Sequence, residues 1–191
     1  MRIQVALSGI SIGVAILILV TSVMNGFERE LQSRILQAIP HASIQGNILK
    51  SEVDEIGNSL KLIPSVLGFA PYIETQGLLS SGSYLKGVYI YGIKPDYEET
   101  ISSIQNHFIE GSINTLKEDS YNLVIGDILA IQLGLRLGDT VNILVPEATL
   151  GLAGILPRTK KFKITGIFSL GAPEIDQSHV YLNSDNASKL L

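Results

Sequence analysis

Residues that could support acid–base, nucleophilic or metal chemistry are few and scattered in this chain. The three histidines, His41, His107 and His179, are far apart, and no two have the helical spacing of a zinc pair. There is no cysteine, which excludes a thiol nucleophile, a thiolate metal site and a disulfide scaffold. The Gly-rich segment from Gly134 to Gly138 lacks the lysine of a phosphate-binding loop and does not follow a predicted strand. The sequence therefore predicts a protein that is not an enzyme and binds no cofactor or metal.

The charged residues give no stronger signal. The chain carries 14 Lys+Arg against 18 Asp+Glu, a net charge of -4, without a long basic run, so nucleic acid is not an expected partner. The paired carboxylates Asp54–Glu55 and Glu98–Glu99 lie on predicted solvated helix faces. Asn186 begins a glycosylation sequon, a motif short enough to occur often by chance.

An apolar segment between two predicted strands, residues 146–158, is the strongest candidate for a binding site. It is longer than the usual 2 to 5 residues of a hairpin loop, and its leucines and isoleucine are costly to leave in water. Proline at both ends stiffens it, which lowers the entropy lost on docking. Arg158, Lys160 and Lys161 cluster at one base. Either the segment is a protruding hook that inserts apolar side chains into a partner, or it folds back on its own domain or rests on a membrane. The candidate hook residues are Pro146, Leu150, Leu152, Ile155, Leu156, Pro157 and Arg158.

The N-terminal residues 1–26 are predicted to form a transmembrane helix. Between Arg2 and Glu28 lie 25 residues without a formal charge, enough to cross an apolar layer of about 30 Å. A signal peptide usually has a shorter apolar core, which leaves a buried soluble helix as the other interpretation. Gly9 and Gly13, four residues apart, line one face with small side chains, either for packing against another membrane helix or because glycine is common in such helices.

Residues 27–40 are predicted to continue as an amphipathic stalk. Phe27, Leu31, Ile35 and Ile39 recur every four residues among charged and polar side chains, and Pro40 ends the pattern. An anchor and stalk of this length exceed what anchoring alone needs. The apolar stripe of the stalk must therefore face another surface.

The remaining residues, 41–191, are predicted to form an α+β domain, because short strands and helices alternate without a regular βαβ rhythm. Ser51 is the expected cap of the first helix in this region, and Asp96 with Glu99 the expected capping box of the second. The predicted strands are 41–49, 66–79, 84–93, 140–145, 161–168 and 179–182; the predicted helices begin at Ser51, Asp96, Asp127 and Ser184 and end, for the first three, before Pro64, near Phe108 and at Gly134.

Four segments, in order along the chain, resemble LolC/LolE-type permeases of the bacterial lipoprotein-releasing ABC transporter. The run SVMNGFEREL, Ser22 to Leu31, is similar to the end of their first membrane helix. The other three are GVYIYGI from Gly87 to Ile93, LGLRLGD from Leu133 to Asp139 leading to Pro146, and FKITGIF from Phe162 to Phe168. Each is weak alone, whereas the ordered set covers nearly the whole chain.

This resemblance implies a first membrane helix, its stalk and most of a MacB-like periplasmic domain, located at the bacterial inner membrane with the main domain in the periplasm. The implied partners are a second permease subunit, a cytoplasmic ATPase, lipoprotein substrates, membrane lipid and the soluble periplasmic carrier LolA. The hook, Pro146 to Pro157 with Arg158 at its base, would grip LolA. Met24, Phe27 and Leu31 would line a lipid-facing cavity between the two permeases. Family members have further membrane helices, so the chain is expected to be a fragment.

Two alternatives to this function stay open at the level of sequence. A MacB-like efflux permease or a mechanotransmitter for a cell-wall hydrolase would share the same domain. A single-pass sensor or adhesion module would use the same anchor without an ATPase.

Overall fold

The uncharged N-terminal run and the stalk form one continuous helix, α1 (Arg2–Ala38), in the computed structural model. At about 1.5 Å per residue its 37 residues extend about 55 Å. Within it, Leu7–Glu30 is long and apolar enough to cross a membrane, and none of that stretch is buried against the rest of the protein. The structure describes residues 2–38, 40, 42–46, 48, 51–151 and 154–191, without the side chains of residues 2, 5, 6, 31–38, 100, 147–151 and 154–157.

The described part of the chain contains seven strands after α1, and six of them close into a barrel. The ring runs β6-β4-β7-β2-β1-β5 and is closed by antiparallel pairing of β5 with β6; β3 pairs with β6 outside the ring. Closure removes the exposed edges that an open sheet would have. The strands are β1 (Ile73–Ser81), β2 (Tyr84–Ile93), β3 (Phe108–Gly111), β4 (Asn122–Gly126), β5 (Thr140–Gly151), β6 (Gly154–Phe168) and β7 (His179–Asn183).

Every strand of the ring contributes to one apolar core, because alternate residues of a strand point to the same side. Examples are Leu79, Ile90, Ile125, Ile143 and Phe162, all without exposed surface. Residues of α4 (Asp127–Leu133) and α6 (Ser184–Ser188), or directly after them, join the same core. The barrel is thus a filled scaffold and not a pore.

A second apolar cluster covers part of the outer surface around β7, β4 and β6. It includes Ile93, Val124, Phe168 and Ile175. The remaining helices are α2 (Val53–Lys61), α3 (Pro95–Ile101) and α5 (Pro173–Asp176), with 3-10 turns at Ile104–His107 and Ile113–Thr115. The predicted α+β class is therefore confirmed, as are the β1–β2 hairpin, the helix from Asp127 that ends at Gly134, and the final strand and helix. The first strand of the hairpin was predicted too long, because residues 66–72 of the predicted strand 66–79 form no strand.

Several predicted local elements are wrong. The described residues of the predicted strand 41–49 form no strand, and His41, Asn47 and Leu49 lie outside the described part. Ser51 does not cap α2, whose N-cap is Glu52. The Asp96–Glu99 capping box does not form because Lys94 precedes Pro95 as the N-cap of α3. The predicted helix ending near Phe108 divides into α3, a 3-10 turn and β3.

Candidate partner-binding hairpin

The segment 146–158, predicted as a 13-residue loop, instead extends the two strands that flank it. β5 continues to Gly151 and β6 begins at Gly154. Their pairing runs through Val145 with Arg158, shifts in register, and resumes with Thr149 opposite Leu156 and Leu150 opposite Ile155. The segment is extended because cross-strand hydrogen bonds hold its backbone, and a bulge absorbs the irregular stretch after Val145.

The barrel holds the root of this hairpin firmly. β1 pairs with β5 only at Leu78–Ser80 opposite Asn142–Leu144, so β5 leaves β1 just before Pro146. Proline has no N–H to donate to a neighbouring strand, which suits the point where pairing with β1 stops. Pro146 is exposed. From this root onward, the two strands pair only with each other in the described register.

Gly77 permits the close approach of β1 to β5 at the root. A Cβ at Gly77 would lie 2.6 Å from Cδ1 of Ile90 and 2.9 Å from the carbonyl oxygen of Leu144. Both distances are shorter than ordinary contacts, so a larger residue would push the strands apart. The position of β5, and with it the direction of the hairpin, depends on this glycine.

The predicted hook residues are therefore only partly located. Pro146 is exposed and Arg158 is half-buried, and both lie at the root of the hairpin, where Val145 pairs with Arg158. Leu150, Ile155, Leu156 and Pro157 have described backbone in the two strands, whereas their side chains lie outside the described part of the chain, and Leu152 lies outside it altogether.

Basic side chains follow the hairpin on β6. The Lys160 ammonium lies 5.3 Å from the centroid of the Tyr121 ring, which in turn makes an edge contact with Phe162 at 5.6 Å. A cation over an aromatic face is worth about 0.5–1 kcal/mol at an exposed site. Lys161 and Lys163 are exposed. The root of the hairpin thus carries positive charge on its β6 side.

The predicted lipid-contacting residues lie on an apolar furrow of α1. Met24 and Phe27 are exposed and line a shallow furrow of about 340 Å³ together with Leu19, Val20 and Val23. The side chain of Leu31 lies outside the described part of the chain. The furrow is wholly apolar in its lining residues, a surface that lipid would solvate and water would not.

Gly9 and Gly13 on α1 have open space beside them. A Cβ built at either position meets no atom within 4 Å. Within the described part of the chain, this small-residue face therefore has no packing partner.

A cluster that sequence reasoning missed lies on the outer face of β2 and β7. The His179 ring stacks on Tyr91 with centroids 5.1 Å apart and planes 12° apart, and Tyr89 lies 5.5 Å from the same imidazole. The Tyr91 hydroxyl donates to Oε1 of Glu74 at 3.3 Å. Burial lowers the pKa of His179, while the nearby Glu74 carboxylate raises it in part. The signal was present in the sequence, because Tyr89 and Tyr91 have the two-residue spacing of one strand face.

The described residues do not assemble a metal centre. They contain no group of three or more His, Asp or Glu placed to hold a metal. Burial raises the pKa of Asp176, but both its carboxylate oxygens accept backbone N–H bonds, from Leu170 at 2.9 Å and Ala172 at 3.1 Å, which gives it a structural role. Asn186 of the sequon is fully buried and donates to the carbonyl oxygen of Ser120, so the folded protein does not present it for glycosylation.

Comparison with known proteins gives matches along almost the entire chain. Residues 5–191 match the model of the MacB-like periplasmic core domain. The chain is 34% identical over 184 residues to "Lipoprotein-releasing system transmembrane protein LolC" of Xylella fastidiosa, a match that covers 96% of this chain and 44% of that protein. It is 32% identical over 188 residues to "Lipoprotein-releasing system transmembrane protein LolE" of Haemophilus influenzae, covering 96% and 45%. The chain thus spans less than half the length of these relatives.

Comparison with solved structures gives a match to the periplasmic region of MacB from Actinobacillus actinomycetemcomitans. That crystal structure has a TM-score of 0.45 and 16% sequence identity to this chain, and the match covers 70% of this chain and 56% of that one.

Proposed function

Because the chain belongs to the MacB-like periplasmic core domain family, we propose that it is the N-terminal part of a LolC/LolE-type permease of a lipoprotein-releasing ABC transporter. In this proposal α1 anchors the barrel domain in the inner membrane and the barrel lies in the periplasm. ATP hydrolysis belongs to a separate cytoplasmic subunit, and a second permease subunit completes the membrane assembly. The names of the LolC and LolE relatives favour lipoprotein release over MacB-like efflux.

The β5–β6 hairpin is the proposed contact for the soluble carrier LolA. The observation that carries this proposal is a hairpin that continues past the last β1–β5 pair and is rich in leucine, isoleucine and glycine. Its strands are rigidly rooted in a closed barrel, so little conformational entropy is lost when a partner binds it. The exposed lysines at the β6 root add a charge that steers an acidic partner surface.

The apolar furrow on α1 is the proposed contact for lipoprotein acyl chains. Each buried methylene contributes about 0.8 kcal/mol to membrane affinity, so removal of acyl chains from the bilayer is uphill and needs ATP hydrolysis elsewhere in the assembly. When the two permeases close, the furrows lose room for the chains. A docked carrier with its own apolar cavity can receive them without full exposure to water.

A binding measurement tests the hairpin proposal. Ile155→Asp in the full-length permease, assembled with its partners in lipid nanodiscs, should weaken binding of purified carrier about tenfold or more, because a carboxylate is costly to bury in an apolar contact. Ile131→Asp is the matched control, since Ile131 is 77% exposed on α4, away from the hairpin. Equal affinity in the wild type and both variants would contradict a carrier contact at the hairpin.

A further inference from the structure

A shallow groove lies directly beside the hairpin root on the outer face of the barrel. It has a volume of about 460 Å³ and is open to solvent. Pro146 lines it on the β5 side and Tyr89 on the β2 side, with residues of β1 between them. The full lining is Gln76, Gly77, Leu78, Gly87, Val88, Tyr89 and Pro146.

The groove exists because Gly87 has no side chain. Gly87 pairs with Leu78 across β1 and β2, and a Cβ built on it would meet no atom within 4 Å. The neighbouring strand positions on this face carry Leu85 and Tyr89, so a single missing side chain opens the surface down to the backbone. No clash requires a glycine at this position.

One wall of the groove is held in place by aromatic contacts. Tyr89 lies 5.5 Å from the His179 ring, and His179 stacks on Tyr91, whose hydroxyl donates to Glu74. Tyr89 still remains 41% exposed. A tyrosine that is ordered before binding loses little side-chain entropy in a contact, which is why such residues often anchor interfaces.

The dimensions of the groove favour a side chain over an acyl chain. Three consecutive residues of β1 and three of β2 line it, a length of about 10 Å at about 3.3 Å per residue. An extended acyl chain exceeds that length and would stay largely in water in so open a site. One or two aliphatic side chains fit it, with the Gln76 amide at the rim.

We propose that this groove receives an aliphatic side chain of the soluble carrier that engages the hairpin, an inference that rests on the proposed function. Pro146 is both the first residue of the hairpin extension and a wall of the groove. A protein held by the hairpin is therefore held against the groove. The carrier then makes two contacts, one with the hairpin and one with the groove, which acts as an apolar socket on the barrel.

Filling the groove tests this inference. Gly87→Phe in the assembled full-length permease should lower the affinity for purified carrier about tenfold, because the new ring occupies the socket. Leu85→Phe is the matched control: it lies two residues earlier on the same strand face, is 61% exposed and lies outside the groove. It should bind the carrier as the wild type does, and both variants should keep the wild-type melting temperature.

The outcomes separate this inference from the proposed function. If Ile155→Asp weakens carrier binding and Gly87→Phe does not, the groove is not a contact and the hairpin remains one. If Ile155→Asp leaves carrier binding unchanged, the hairpin is not a carrier contact, and the proposed function of the hairpin is contradicted whatever Gly87→Phe does. Should Gly87→Phe lower the melting temperature, Tyr89→Ser decides instead, since it removes the wall without filling space: a loss of affinity supports the socket and unchanged affinity overturns it.

Discussion

The environment of His179 couples the charge of its side chain to the stability of the fold. Burial lowers its pKa below the ordinary value of 6.5, so the unfolded chain takes up a proton more readily than the folded one. Neutral His179 therefore contributes to the stability of the fold above about pH 6.5. This contribution is lost as the pH falls through the lowered pKa of the folded state. Glu74, which faces the ring, opposes this shift.

The corresponding prediction concerns the pH dependence of unfolding. His179→Gln should reduce the fall in melting temperature that the wild-type chain shows between pH 7 and pH 5, because glutamine does not titrate. Thermal unfolding of both proteins across this range measures the difference between the two slopes. Parallel curves would show that His179 has the same pKa folded and unfolded.

Two glycines on adjacent strands have opposite requirements. Gly77→Ala should destabilise the protein by about 1–3 kcal/mol, because its Cβ collides with Ile90 and with the Leu144 carbonyl. Gly87→Ala should be neutral or slightly stabilising, since its Cβ meets nothing and glycine in a strand is entropically costly. Denaturant unfolding of both variants tests this, and equal effects at the two positions would refute the tight β1–β5 root.

At the scale of elements, the hairpin is separable from the barrel. Val145 and Arg158 are register partners, so an Asn-Gly turn can join them in place of residues 146–157. The pairs from Thr140 with Lys163 to Val145 with Arg158 remain, and the barrel should keep its fold. The shortened permease should assemble with its ATPase subunit, which should hydrolyse ATP at the normal rate, but the assembly should lose carrier binding.

Circular dichroism, ATPase assays and carrier pull-down measure these three properties of the shortened permease. An unfolded barrel would mean that the hairpin stabilises the core. Retained carrier binding would mean that the partner docks elsewhere.

The elements that sequence predicted correctly are those fixed by local chemistry. The β1–β2 hairpin follows from alternating residues around Gly82, whose φ is +57°, and α4 ends where Gly134 adopts φ +63°. The missed elements depend on distant partners. β4 is five residues long and is stabilised by pairing with β6 and β7, and the hairpin strands continue through proline and glycine because they pair with each other.

The candidate site was predictable in outline only. Its apolar composition and bounding prolines, Pro146 and Pro157, are visible in the sequence, whereas its paired geometry is not. No local sequence pattern predicts the groove either. Gly87 and Pro146 are 59 residues apart in sequence, and both line the groove because β1 lies between their strands.

At the scale of the whole molecule, the furrow lies on one unbroken helix, α1, which continues past it to Ala38. Leu31 lies four residues after Phe27, the last residue of the furrow, and this is the spacing of one helix face. The substitution tested is Leu31→Asp. It should impair lipoprotein release from proteoliposomes while leaving assembly with the ATPase unchanged, because a charge disfavours acyl chains in the cavity. Glu30→Asp, which keeps the charge at the neighbouring position, is the control. Normal lipoprotein release by the Leu31→Asp variant would contradict a contact between Leu31 and the acyl chains.

In the proposed function, the β5–β6 hairpin of a membrane-anchored barrel inserts into a soluble carrier. A photo-crosslinking amino acid at residue 155 of the full-length permease, embedded in membranes that contain its partner subunits and carrier, tests it most directly. Mass spectrometry of the product should identify the carrier, with crosslinks in its apolar cavity, and the same probe at residue 131 should not capture it. Crosslinks from residue 155 only to lipid or to the permease's own barrel would contradict the account.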